Sequence, residues 1–76
     1  MELIDFIKKF ETLFEAGNIP VLRADTEFKE LEDWSSLKAL SVMALIDEEY
    51  NVTIKGKDIR ESETIEDLFN VTISLL

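Results

Sequence analysis

The chain has 76 residues, enough for one domain over 1–76 and no more, because at this length a single hydrophobic core only just offsets the entropy of ordering it. Apolar residues make up 46% and charged residues 33%, with only two Gly and one Pro, the balance of a globular chain rather than a disordered tail. Cys and His are both absent, which excludes disulfides, thiolate and imidazole metal sites, Ser-His dyads and Cys nucleophiles.

Seventeen acids against eight bases give a formal charge of −9, which repels nucleic-acid phosphates and anionic lipid and favours basic protein surfaces. No apolar run approaches the roughly 18 to 20 residues that cross a bilayer. The start, Met1-Glu2-Leu3-Ile4-Asp5, is acidic where a secretory signal would be basic, so the expected setting is cytoplasmic, with no membrane insertion and no nucleic-acid partner. Without a staple or a metal, the fold must rest on packing, which at this size favours helices with well-filled apolar stripes.

In chain order, Leu3, Ile7, Phe10 and Phe14 recur at helical spacing, and Phe6 and Leu13 widen the stripe. This predicts a first helix running through Phe14 to about Ala16, closed by Gly17, with Pro20 preventing its early resumption. From about Asn18 to Asp33 no period is sustained. A loop so long in so small a domain must be packed, and Ile19, Val21, Leu22, Phe28 and Leu31 are its expected anchors, with one helical turn over Phe28 to Leu31. Trp34 falls at the end of the loop. The second helix is predicted from Ser35 or Ser36 to Tyr50, with Ala39, Val42, Met43, Ile46 and Tyr50 on one face and Leu37, Leu40 and Ala44 in a second strip beside it. Such a wide stripe implies contacts to several helices or an apolar patch left for a partner.

Asn51-Val52-Thr53-Ile54 reads as a short extended link ended by Gly56, and Asp58 to Glu61 as a short third helix. Thr64, followed by Glu66 and Asp67, is a capped helix start, from which Ile65, Leu68, Phe69, Thr72, Leu75 and Leu76 continue at helical spacing. The expected fold class is therefore all-α: a four-helix bundle with a short third helix and a long loop between helices one and two.

Catalytic constellations are missing. The acids fall on polar helix faces and in loops, where solvated charge explains them, and neither Glu30, Glu32 and Asp33 nor Asp47, Glu48 and Glu49 has the spacing of a calcium loop. The informative stretch is Asp33-Trp34-Ser35-Ser36-Leu37, where a loop meets an amphipathic helix. A serine hydroxyl there stands at the positive end of the helix dipole, where free N–H groups favour an attached phosphate; from spacing alone, the reading of Ser35 or Ser36 as an ordinary N-cap is strongly preferred, because Ser is among the commonest N-caps.

The run from Ser36-Leu37-Lys38-Ala39-Leu40 through Ile46-Asp47-Glu48-Glu49-Tyr50 resembles the second helix of acyl carrier proteins. In that family a modified serine is followed by leucine and then by an apolar helix ending in acids and an aromatic. The likeness continues through Val52, Ile54 and Thr64-Ile65-Glu66-Asp67-Leu68 and covers nearly the whole chain. It implies a non-enzymatic carrier, whose Ser36 receives 4'-phosphopantetheine from coenzyme A through a phosphopantetheinyl transferase. The terminal thiol of that arm then holds acyl groups as thioesters, supplying the reactivity that a chain without Cys lacks.

Ser36 rather than Ser35 is the implied attachment point, since Leu37 follows it. Further partners implied are acyl-transferring and synthase enzymes with basic docking surfaces, meeting a monomer at Trp34, Ser35, Leu37, Leu40, Met43 and Ala44, with Asp47, Glu48, Asp58 and Glu61 as a charged rim. Cargo is expected to shelter among Phe6, Val42, Ile46, Ile54, Leu68 and Phe69. The family usually has an acid where Ser35 stands and often has acids where Lys38 and Ser41 stand, which suggests a dedicated pathway rather than general fatty-acid synthesis. Cargo remains open between fatty acyl, polyketide and aminoacyl or peptidyl groups. The alternative from another class is an acidic helical module that binds a basic protein and needs no particular serine; a metal-assisted hydrolase lacks any His.

Overall fold

The computed structural model describes residues 2–14 and 21–76. Leu3–Glu11 form α1, which tightens into a 3-10 turn over Thr12–Phe14. A second 3-10 turn spans Phe28–Glu30, and Ser36–Tyr50, Gly56–Glu61 and Ile65–Ser74 form α2, α3 and α4. Among the described residues there is no strand, and the architecture is a small all-helical bundle. The expected helix end at Gly17, the stop at Pro20 and the anchor Ile19 lie outside the described residues.

The first helix does not run unbroken to Phe14 as its pattern suggests. Thr12 Oγ1 donates to the Lys9 carbonyl at 2.6 Å, and a side chain competing for that acceptor favours the tighter turn. Phe6, Phe10 and Phe14 nevertheless share one face, and all three are buried. They seed a chain of aromatic contacts that takes in every aromatic residue of the sequence. Phe69 meets Phe6 edge-on at 5.3 Å, Tyr50 stacks on Phe6 at 5.8 Å, and Phe10 follows Phe6 at 6.3 Å. Phe14 and Phe28 each lie 5.5 Å from Phe10, and both reach Trp34, at 6.4 and 5.1 Å. Each such pair contributes roughly 0.5–1.5 kcal/mol beyond the area it buries. The chain links α4 to the entrance of α2.

The long connection before α2 is packed, but not by all the anchors expected of it. Leu22 and Phe28 are buried and Leu31 partly so, whereas Val21 is 78% exposed. Backbone chemistry supplies what Val21 does not: the carbonyls of Ala24 and Thr26 accept from the N–H groups of Glu66 and Ile65 at 2.9 and 3.1 Å. These are first-turn donors of α4 with no partner inside their own helix, so the loop completes the helix start while the helix holds the loop.

Asn51, after α2, takes a left-handed conformation (φ 57°, ψ 38°) and donates its N–H to the Asp47 carbonyl at 2.9 Å. Asn is one of the few side chains that tolerate this geometry, and the reversal sends Val52 and Ile54 into the core on alternate residues of an extended link. Gly56 opens α3 rather than ending the link, because the Asp58 carboxylate accepts the Lys55 N–H at 2.9 Å and so starts the helix two residues earlier. Ser62, buried at its end, donates to the Asp58 carbonyl at 2.8 Å.

In α4 the expected cap is present: Thr64 Oγ1 accepts from the Asp67 N–H at 3.1 Å, and the Asp67 carboxylate accepts from Thr64 and Glu63 at 3.0 Å each. Ile65, Leu68, Phe69 and Thr72 are buried, with the Thr72 hydroxyl satisfied by the Leu68 carbonyl at 2.9 Å. The stripe stops there. Leu75 and Leu76, expected to prolong it, lie beyond the end of α4, where the helical register no longer turns them inward, and are exposed.

Candidate functional site

The site grows from the entrance to α2. Ser35 is extended (φ −158°, ψ 173°) and its Oγ accepts from the Lys38 N–H at 3.2 Å, which makes Ser35 the N-cap. Ser36 is therefore the first helical residue, and it is exposed. The Ser36 hydroxyl makes no hydrogen bond among the described residues, and the N–H groups of Ser36 and Leu37 have no protein partner there. An unengaged hydroxyl thus stands beside unpaired donors at the positive end of a fifteen-residue helix. The two adjacent serines divide the work: one closes the helix and the other is left accessible.

Trp34 holds this entrance in place. Its indole is half-buried against Phe14 and Phe28, and the Trp34 backbone N–H donates to the Leu31 carbonyl at 2.9 Å, so the residue before the serines is anchored to the core.

Beside Ser36 lies a cleft of about 570 Å3. α1 packs on α2 and α4, and α3 leans on α4, which leaves a gap between α2 and α3. From α2 it is lined by Ser36, Ala39, Leu40 and Met43, and from α3 by Gly56, Ile59 and Arg60. Trp34 and Lys29 close the end nearer the loop. The cleft is mostly apolar and of the size that takes small organic ligands. It is not where shelter for a cargo was expected: Phe6, Val42, Ile46, Ile54, Leu68 and Phe69 are all buried in the packed core and line none of it.

Leu37 and Leu40, 74% and 61% exposed, form an apolar strip with exposed Ala44 on the outer side of α2. Leu40 also borders the cleft, as does Met43, which is half-buried. Asp47 and Glu48 are exposed at the far end of α2, and Glu61 is exposed on α3. Asp58 is half-buried with its carboxylate engaged by the Lys55 N–H, so it is a helix-starting group more than a free rim charge.

Lys38 has a role that the spacing did not suggest. Its ammonium donates to the Leu13 carbonyl at 2.6 Å, lies 3.4 Å from the Asp33 carboxylate, and sits 5.2 Å above the centre of the Phe14 ring. With its side chain 24% exposed, it ties the start of α2 to the end of the first 3-10 turn. No sequence signal reveals this, since Lys38 is far from Leu13 in the chain and five residues from Asp33.

Among the described residues no group of His, Cys, Asp and Glu is arranged to hold a metal ion, and no helix is long and apolar enough to cross a membrane. Among the described residues the one carboxyl with a clear shift is Asp67, held below its usual range by the backbone N–H groups of Thr64 and Glu63. It belongs to the α4 cap, not to the site. Comparison of the chain with protein-family models, curated proteins and solved structures returns no match.

Proposed function

We propose that the chain is an acyl carrier protein, bearing acyl or related cargo as thioesters on a 4'-phosphopantetheine arm attached to Ser36. The observation that carries the reading is the exposure of Ser36 at the first position of α2, unengaged and beside an apolar cleft, within the Ser-Leu sequence that resembles the family's attachment site. A second enzyme can reach such a hydroxyl, whereas one sealed in the bundle could not be modified.

The residues present fit the arm. The unpaired N–H groups of Ser36 and Leu37 are suited to a phosphodiester on Ser36 Oγ, and the cleft offers apolar walls to whatever the arm carries. Loading forms a phosphodiester bond to Ser36 Oγ, releases the adenosine bisphosphate part of coenzyme A, and passes the serine proton to a base on the transferase. When bound, the arm supplies a thiol for acyl exchange. The chain itself orients the serine through the Ser35 cap and the Trp34 anchor.

Leu37, Leu40 and Ala44 make an apolar contact strip for the transferase and acyl-transferring enzymes, with Asp47, Glu48 and Glu61 meeting basic side chains at its edge. Lys38 subtracts little from this acidic face, because its charge is turned inward onto Leu13 and Asp33.

Incubation of the apo protein with coenzyme A and a broad-specificity phosphopantetheinyl transferase is expected to add one phosphopantetheine mass, and Ser36→Ala to abolish the addition. Intact masses unchanged with several active transferases would overturn the reading. An acidic binding module, by contrast, would keep its function in Ser36→Ala.

A further inference from the structure

The α3 side of the cleft carries two cations in a protein of formal charge −9. The Arg60 guanidinium folds back along its own helix, with Nη1 3.4 Å from where a Cβ on Gly56 would stand, and both residues line the cleft. Lys29 reaches across from the second 3-10 turn and donates to the Arg60 carbonyl at 2.8 Å, which brings its ammonium to the same wall. Among the described residues neither cation has a carboxylate within ion-pair distance, whereas Lys9 and Lys38 are paired with Glu49 and Asp33. Glu27, Glu30 and Glu63 border a separate polar hollow on the other side of Lys29 and temper its charge, so Arg60 is the stronger of the two.

Opposite stands an apolar wall from Ala39, Leu40 and Met43 of α2, with Ser36 on the same rim, and Ile59 adds apolar surface on the α3 side. Arg60 is exposed and Lys29 half-buried, so an aliphatic chain alone would gain nothing from either cation, while an anion at its end would pair with them at the mouth of the cleft. A guanidinium in particular presents parallel donors that match a carboxylate.

We infer that the cleft beside Ser36 takes a cargo with an apolar stretch and a free terminal carboxylate, held by Arg60 and Lys29; this rests on the carrier reading above. A dicarboxylic acid joined to the arm through one of its carboxyls is the chemical class. The same two cations could instead meet the arm's own phosphodiester, and the test separates the two sources.

Ser36 would be loaded from coenzyme A analogues carrying non-hydrolysable glutaryl or pentanoyl groups, which share a chain length and differ in the terminal carboxylate. Bare arm-bearing protein is the reference. In the glutaryl form the Arg60 Nε–H resonance is expected to move and Tm to rise by about 4 °C over the pentanoyl form at low salt. Arg60→Gln should remove the difference, and Lys29→Gln should reduce it; both side chains are peripheral, so folded variants are expected. Equal Tm values with an unmoved Arg60 signal overturn this inference while leaving the carrier reading intact. A shift already complete with the bare arm assigns the cations to the phosphodiester and also overturns it. Failure of every analogue to load overturns the carrier reading, and this inference with it.

Discussion

Replacing Lys38 by Met tests whether a single ammonium fastens α2 to the end of the first 3-10 turn. Met keeps most of the aliphatic stem over Phe14 but removes the donor to the Leu13 carbonyl, the partner of Asp33 and the charge above the ring. A hydrogen bond from a charged group contributes about 1.5–3 kcal/mol net, and partial exposure puts this one near the lower end. The ion pair is open to water, with the Asp33 side chain 51% exposed, and adds less than about 1 kcal/mol. The cation over Phe14 adds roughly 0.5–1 kcal/mol. These are not additive, since Lys38 must surrender side-chain freedom to make any of them. A net loss of about 2 kcal/mol is expected, which for a domain of this size lowers Tm by roughly 8–16 °C.

Urea unfolding followed by circular dichroism should show a lower midpoint with an unchanged slope. Lys57, exposed on α3 and without a partner among the described residues, is the control, and Lys57→Met should stay within about 0.5 kcal/mol. A double-mutant cycle with Asp33→Asn should give a coupling under about 1 kcal/mol, leaving most of the loss to the Leu13 carbonyl. Equal shifts in Lys38→Met and Lys57→Met would refute the fastening role.

Other predictions address separate parts of the molecule. The Tyr50 hydroxyl is buried with no hydrogen-bond partner among the described residues, so Tyr50→Phe should be neutral or stabilising by up to about 1 kcal/mol in urea unfolding. A loss above that would reveal a partner for the hydroxyl. The Asp67 carboxyl has a folded pKa below its ordinary value of 3.8, chiefly through the Thr64 and Glu63 N–H groups. The unfolded chain therefore takes up this proton first as pH falls, and the stability due to Asp67 is complete above the ordinary value and lost as pH drops through the folded one. Asp67→Asn should flatten the fall in stability between roughly pH 5 and 2, and an unaltered acid limb would argue against the cap. Leu37→Arg, at a 74% exposed position, should change stability by less than about 0.5 kcal/mol yet slow transferase loading; an unfolded variant would mean that Leu37 is core.

The elements were legible because their signals are local. Four-residue spacing of Phe6, Phe10 and Phe14 marks an apolar face whatever lies opposite it, and the Thr64 to Asp67 interval marks a helix start through contacts within one turn. Where a local signal failed, a specific interaction had displaced it. Thr12 tightened the end of α1, and Asp58 began α3 at Gly56. Val21 has the composition of a loop anchor but lies exposed, because the loop is held instead by Ala24 and Thr26 carbonyls that give no residue-type signature. Leu75 and Leu76 keep helical spacing in the sequence but lie past the end of α4.

Composition and periodicity were enough to dictate a helical chain that lacks Cys and His, since helix formation depends on neighbours within a few residues. Which serine is accessible, where the cleft opens and what Lys38 does depend on groups brought together from Leu13, Lys29, Trp34 and Arg60, far apart along the chain. Packing chose those neighbours. An i to i+4 rhythm says which face turns inward, but not which carbonyl an ammonium will find or which pair of helices will stand apart.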